Sequence, residues 1–384
     1  MKNILTQVSR VLVGGLFIFS GVIKMNDPVG FGFKLEEYFG EDVLNLPFLQ
    51  PWALHLAVFL VVLEVMLGVF LLLGCFKRFT LWSLAGMMGF FTFLTFYSAY
   101  FNKVTDCGCF GDAIPLTPWE SFSKDVVLSV LIALLIWGRD QLKPWLPIRW
   151  NQAKMAGALV FSVLFTNHVL SHGPFWDFRA YKPGTDVLMA MKSAEELGLE
   201  PPKFETYFTL QAPDGSRVEV SGTAYVDEKW YEKSDYTIME DGTYSKKIAE
   251  GYEPPIHDFS IVIQGEDRTE EFVSGPQVLW LLAYDLSKAN RAEVVRLVHE
   301  LNVLIQKGKV QKIVGMTSSS DEEIQELLSE TGGLFPWAVM DGTALKTVQR
   351  SNPGVTLLEH GIIQKHWHYN DAIFLDGSNI VWPE

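Results

Sequence analysis

Five stretches of the chain are long and apolar enough to cross a bilayer: Ile4–Lys24, Pro51–Gly74, Phe79–Phe101, Ser123–Trp137 and Ala153–Leu170. A hydrocarbon core needs ~20 apolar residues in helical form, so each predicts a transmembrane helix, with the shortest, the fourth, starting ahead of Ser123. Buried helices of a water-soluble protein would show polar faces, and these stretches lack them. The first is not read as a removable signal peptide, because no small-residue cleavage site follows it and four more spans do.

Beyond Leu170 the periodicity changes. Pro174-Phe175-Trp176-Asp177-Phe178-Arg179 leaves the last span, and the alternating runs Phe204–Leu210 and Arg217–Tyr225 predict strands. From Pro255 the pattern alternates between element types. Strands are expected at Phe259–Gln264, Gln277–Tyr284, Val310–Met316 and Trp337–Met340. Helices are expected at Ala289–Lys307, Asp321–Thr331 and Thr343–Arg350, and the chain closes with strands Val355–Glu359 and Ile362–His368 around a His360-Gly361 turn. Such alternation predicts an α/β unit. The expected organisation is a four-helix bundle over 1–150, a fifth transmembrane helix over 151–173, a strand-rich segment over 174–254 and an α/β domain over 255–384.

Charge adds an orientation. The net charge of −14 is unevenly spread: residues 1–173 hold 12 Lys/Arg and 11 Asp/Glu, residues 174–384 hold 19 and 34. The acidic half repels nucleic acid and anionic lipid, so nucleic acid is excluded as a partner. Its aliphatic and aromatic content supports a folded core rather than disorder. Lys2, Lys77, Arg78, Arg139, Lys143, Arg149 and Lys154 fall on one side of the predicted membrane, while the 25–50 loop sets one Lys against five acids. The positive-inside rule then places the amino terminus in the cytoplasm. The 102–122 loop and the whole of 174–384 lie outside, in the periplasm if the membrane is a bacterial inner membrane.

Three cysteines are present. Cys75 stands at the cytoplasmic end of the second span and is expected to be a lone reduced thiol. Cys107 and Cys109 share the segment Thr105-Asp106-Cys107-Gly108-Cys109-Phe110-Gly111-Asp112 on the oxidising side. A disulfide between them closes a small ring whose Cα separation is near the upper end of ~4.4–6.8 Å, and Gly108 supplies the unusual backbone angles. Strained, exposed disulfides are readily reduced, which suits a redox pair. A structural pair of so short a loop adds little stability, and a metal site would need two further ligands, for which His55 is the nearby candidate.

Ionisable residues within spans are costly and usually pair. Arg10 and Glu64 are expected at similar depth, either as a structural ion pair or as part of a quinone or proton site. His55, Tyr97 and Tyr100 are placed near the cysteines. In the tail, His366 and His368 with Asp371 lack further ligands and are read as an exposed strand face rather than a metal site.

The residues Arg10, Gly14, Phe17, Phe19-Ser20-Gly21-Val22-Ile23-Lys24, Asp27-Pro28-Val29-Gly30-Phe31 and Glu64-Val65-Met66-Leu67-Gly68 resemble the DoxX family of four-helix membrane proteins. Asp106-Cys107-Gly108-Cys109-Phe110-Gly111 resembles the MauE branch, whose members serve methylamine dehydrogenase maturation. The resemblance covers roughly 1–145. It implies a bundle related in architecture to quinone-linked disulfide enzymes of the vitamin K epoxide reductase type, and hence a quinone as cofactor. The ending, with Pro353 before a strand and a glycine turn after it, resembles the thioredoxin fold. A thioredoxin-type enzyme has Cys-x-x-Cys after the strand ending at Tyr284. Here the segment is Asp285-Leu286-Ser287-Lys288-Ala289-Asn290, so this domain lacks its own nucleophile.

The expectation is therefore a membrane-bound component of extracytoplasmic thiol–disulfide chemistry, with Cys107 and Cys109 as the pair and Arg10, His55 and Glu64 as a quinone-binding or structural set. The alternative is a non-catalytic membrane scaffold. In either case an extracytoplasmic protein partner is expected at Asp285, Lys288, Asn352, Pro353 and Gly354.

Overall fold

A computed structural model describes residues 2–41, 43–101, 110–145, 147–257 and 259–372. Cys107 and Cys109 lie outside the described residues. The chain divides into two compact units, one formed by 1–185 with 260–384 and the other by 186–259.

The first unit opens with six helices: α1 Lys2–Asn26, α2 Pro28–Phe39, α3 Ala53–Leu73, α4 Lys77–Phe101, α5 Pro118–Trp137 and α6 Ile148–His172. Four helical stretches among the described residues are long and apolar enough to cross a membrane: Lys2–Asn26, Pro47–Leu73, Lys77–Phe101 and Arg149–His172. The fourth expected span falls in α5, which does begin ahead of Ser123. Its first half holds Glu120, Lys124 and Asp125, three charged residues within the length of one span, while its second half is as apolar as the others. Helix α1 packs closely on α3 through small residues. A Cβ at Gly68 would meet Gly14 O at 2.8 Å, and one at Gly21 would meet Val65 at 2.6 Å. Such small-residue contacts let membrane helices approach backbone to backbone. Helix α2 starts at Pro28, and the Asp27 carboxylate accepts from Gly30 N at 2.9 Å as its N-cap.

The same unit contains β4 Val262–Ile263, β5 Glu266–Asp267, β6 Val278–Leu282, β7 Lys312–Thr317, β8 Trp337–Val339, β9 Gly354–Glu359 and β10 Ile362–His368. These form one mixed sheet in the order β10-β9-β6-β7-β8-β4-β5. Strands β6, β7 and β8 run parallel, while β9 is antiparallel to β6 and to β10. Every residue of β6 is buried, as expected of a strand covered on both faces. The helices of this region are Thr269–Val273, Arg291–Gln306, Asp321–Thr331 and Gly342–Val348. Leu297, Leu301 and Leu304 of the long helix pack on Leu279, Leu281 and Leu357. The expected strand at Phe259–Gln264 shortens to Val262–Ile263; the other boundaries shift by a few residues. The Asn352–Pro353 bond ahead of β9 is cis.

The second unit holds β1 Lys203–Gln211, β2 Arg217–Ser221 and β3 Thr237–Ala249, an antiparallel sheet in the order β2-β1-β3. The strand expected over Arg217–Tyr225 stops at Ser221, whose hydroxyl accepts from Ala224 N and starts a short helix, Gly222–Asp227. Serine competes for backbone donors in this way at helix starts.

Candidate functional site

The buried charges of the bundle pair differently from the expectation. Glu64 bonds Lys24, with Nζ at 2.9 and 3.2 Å from its carboxylate oxygens, and both side chains are buried. Arg10 does not meet Glu64. Its Nε donates to Leu71 O (2.9 Å), Nη2 to Leu72 O (2.7 Å) and Nη1 to Lys143 O (3.0 Å), and the guanidinium lies 4.3 Å from the Trp145 ring centroid. Arg10 thus adds donors to the carbonyl end of α3, which stops at Gly74. The reason is direction as well as depth. Side chains on a helix lean toward its N-terminus, so Arg10 leans away from the level of Glu64. In this antiparallel pair, Lys24 and Glu64 lean toward each other. His55 is exposed on α3, its ring 5.8 Å from Trp52. The expected set of Arg10, His55 and Glu64 is therefore not brought together.

A second charged pair lies near the first. Asp125 accepts from Thr95 Oγ1 at 3.1 Å, and Lys124 Nζ stands 3.1 Å from its other oxygen. Both pairs line a small cavity in the bundle with Ser20, Tyr38 and Phe110. Phe110 packs against Phe19 at 5.8 Å between ring centroids, and Lys124 Nζ lies 4.8 Å from the Phe110 ring. The cavity measures about 40 Å³, room for a few waters at ~10–15 Å³ each. Sequence reasoning missed Lys24, Lys124 and Asp125 as a group. The available indication was the charge density of α5 within an otherwise apolar stretch.

A larger cleft of about 690 Å³ opens beside the cavity, and Lys24 and Phe31 line both. Its walls are α2, the 174–179 segment and the helix Gly342–Val348, with Gly111 and Asp112 at its border. Arg350 spans this junction. Its Nε donates to Asp27 at 2.8 Å, Nη2 to Asp112 at 2.9 Å and Nη1 to Lys346 O at 2.5 Å. Burial opposes its charge, but Asp27 and Asp112 outweigh that and raise its pKa. Lys346 pairs with Glu36 at 3.3 Å, and Phe33 meets Tyr284 edge-on at 5.8 Å. The sheet domain thus grips α2 and the residue three places after Cys109.

The residues expected to hold a partner lie at the adjoining loops. Asn352 Nδ2 donates to Asp285 O at 2.9 Å, and Asn290 N donates to Asn352 O at 3.2 Å. Lys288 is exposed and stands 3.2 Å from the Asp285 carboxylate. Burial pushes that carboxyl up, but hydrogen bonds from Ser287 and Lys288 outweigh it and hold its pKa down. Pro353 and Gly354 are buried, and a Cβ at Gly354 would meet Gln349 at 2.5 Å. His366 and His368 are not on an exposed strand face. His366 Nε2 donates to Tyr181 O at 2.7 Å while Nδ1 sits 2.8 Å from Thr356 Oγ1, and His368 is buried. Burial lowers the pKa of each to about 4. Asp371 instead pairs with His172 at 2.7 Å. Among the described residues no cluster of His, Cys, Asp and Glu suits a metal ion.

Residues 2–138 match the family model of methylamine utilisation protein MauE, so the amino-terminal part of the chain is a MauE-like membrane domain. A curated protein, Protein TlpB of Flavobacterium psychrophilum, is 29% identical over 139 residues. That match covers 35% of this chain and 37% of the relative, so the chain spans little more than a third of the curated protein it resembles.

Proposed function

We propose that this protein is a membrane-bound component of extracytoplasmic thiol–disulfide chemistry, with Cys107 and Cys109 as its redox pair. The observation that carries this reading is the surroundings of the segment that follows the pair. Phe110, covalently next to Cys109, lines the cavity with two ion pairs, while Gly111 and Asp112 border the cleft gripped by Arg350. The match to MauE supports a membrane domain of this kind.

In this reading a partner dithiol attacks the Cys107–Cys109 disulfide, and the partner is oxidised as the pair is reduced. Reoxidation of the pair requires a two-electron acceptor; a membrane quinone would take the two electrons and two protons and become the quinol. Arg10, His55 and Glu64 do not converge into a single site for that quinone. The sheet order, the proline before β9 and the glycine turn after it support a thioredoxin-like domain. Lacking cysteines in Asp285–Asn290, that domain binds and positions rather than exchanges disulfides.

Alkylation trapping in intact cells is the test. Cys107 and Cys109 should be mostly disulfide-bonded and become reduced when their reoxidation is blocked. A single-cysteine variant should trap a mixed disulfide with the substrate. If the Cys107→Ser, Cys109→Ser double variant retains full function in cells, the reading fails and the chain is a membrane scaffold.

A further inference from the structure

We infer that the cleft of about 690 Å³ is the binding site for the substrate of this chemistry, and that the substrate enters it as an uncharged, extended polypeptide segment. The inference rests on the redox reading for its reaction but on the cleft for its ligand. The volume falls within the ~300–1,000 Å³ of ordinary ligand sites.

The lining decides what kind of ligand fits. Five cationic side chains border the cleft, and each is already paired: Lys24 with Glu64, Lys34 with Glu37, Arg179 with Asp177, Lys346 with Glu36, and Arg350 with Asp27 and Asp112. The lining carboxylates Asp27, Glu36, Glu37, Asp112 and Asp177 are the partners in four of these arrangements. The Asp177 carboxyl is held down in pKa: burial pushes it up, and the Arg179 hydrogen bonds outweigh that. A phosphate or other anion would have to break an existing ion pair to gain a cation, and a cation would have to take a carboxylate from Arg or Lys. Either exchange recovers little.

What remains are apolar rings and neutral hydrogen-bonding groups. Phe33 of α2 stands on one wall, and Trp176 and Phe178 on another, the last two largely exposed. Thr343 and Thr347 line the side of the sheet domain. Aromatic walls with few charges to satisfy suit a peptide backbone and its side chains, and aromatic residues dominate binding energy at such contacts. The position also suits the chemistry, because Gly111 and Asp112, two and three residues after Cys109, border the same cleft.

The experiment uses the full chain in detergent and two fluorescent peptides of neutral sequence. One carries two cysteines, and the other has serines in their place and cannot exchange. Fluorescence anisotropy should show saturable binding of the serine peptide. Phe178→Ala removes a ring from one wall, and Thr343→Trp fills the cleft from the other; both sites are exposed, so the fold should survive. Each should weaken binding at least fivefold, as loss of a significant contact does. Phosphate should not compete. Unchanged affinity in both variants, or no saturable binding, overturns the inference. Oxidation of dithiothreitol by Cys107 and Cys109 is measured in parallel. If dithiothreitol is oxidised and the peptide does not bind, the cleft assignment fails alone. If the peptide binds and the cysteines never cycle, the redox reading fails alone.

Discussion

Breaking the Lys24–Glu64 pair should cost about 2–4 kcal/mol, depending on which partner is removed. The carboxylate and ammonium are 6% and 5% exposed, with Nζ at 2.9 and 3.2 Å from the two oxygens. Removing one partner of a buried pair typically costs about 3–5 kcal/mol, because the other charge is stranded. Two features lower this. Lys24 lies in the last turn of α1 and also borders the cleft, so in Glu64→Gln its ammonium can turn toward water; about 2 kcal/mol is expected. In Lys24→Met the carboxylate is left buried without its partner, and about 4 kcal/mol is expected. The double variant leaves neither charge, so it should be milder than the sum of the two, with a coupling of about 2 kcal/mol. Denaturant unfolding in mixed micelles gives all four corners of the cycle. Coupling within about 0.5 kcal/mol of zero would refute the pairing. Arg10→Met combined with Glu64→Gln is the control, and should be additive because Arg10 bonds carbonyls instead.

Arg350→Met should loosen the junction of α2 with the sheet domain, seen as faster hydrogen exchange at the start of α2 and around 110–114, with Arg350→Lys keeping part of the protection. His366 should make stability fall with acid. Its pKa is lowered from 6.5 to about 4 in the fold, so the unfolded chain binds the proton first. The stabilisation is complete above pH 6.5 and is lost as pH falls from there through 4, by about 3 kcal/mol; His366→Gln should flatten that part of the denaturation profile relative to the parent. The loop charges predict that a reporter active only outside the cytoplasm works when fused after Glu384 and fails after Lys143. The reverse result would invert the assigned orientation.

Hydrophobic runs and local capping were legible in the sequence because they depend on neighbours a few residues apart. Four of the expected spans coincide with helices of crossing length. The helix at Asp321–Thr331 also follows from local pattern; there Ser320 and Glu323 form a capping box. The α/β alternation from Pro255 came from the same short-range periodicity. Tertiary structure decided which charges meet. Lys24 and Glu64 are 40 residues apart, and Arg350 and Asp27 323 apart; no local pattern ranks such pairs. Depth alone suggested Arg10 for Glu64, but the lean of side chains along antiparallel helices selects Lys24. His366 and His368 looked exposed by alternation, yet Tyr181, 185 residues earlier, brings its carbonyl to His366. The cleft likewise is made of four segments far apart in the chain, so its existence and its charge balance arise only when the fold closes them on one another.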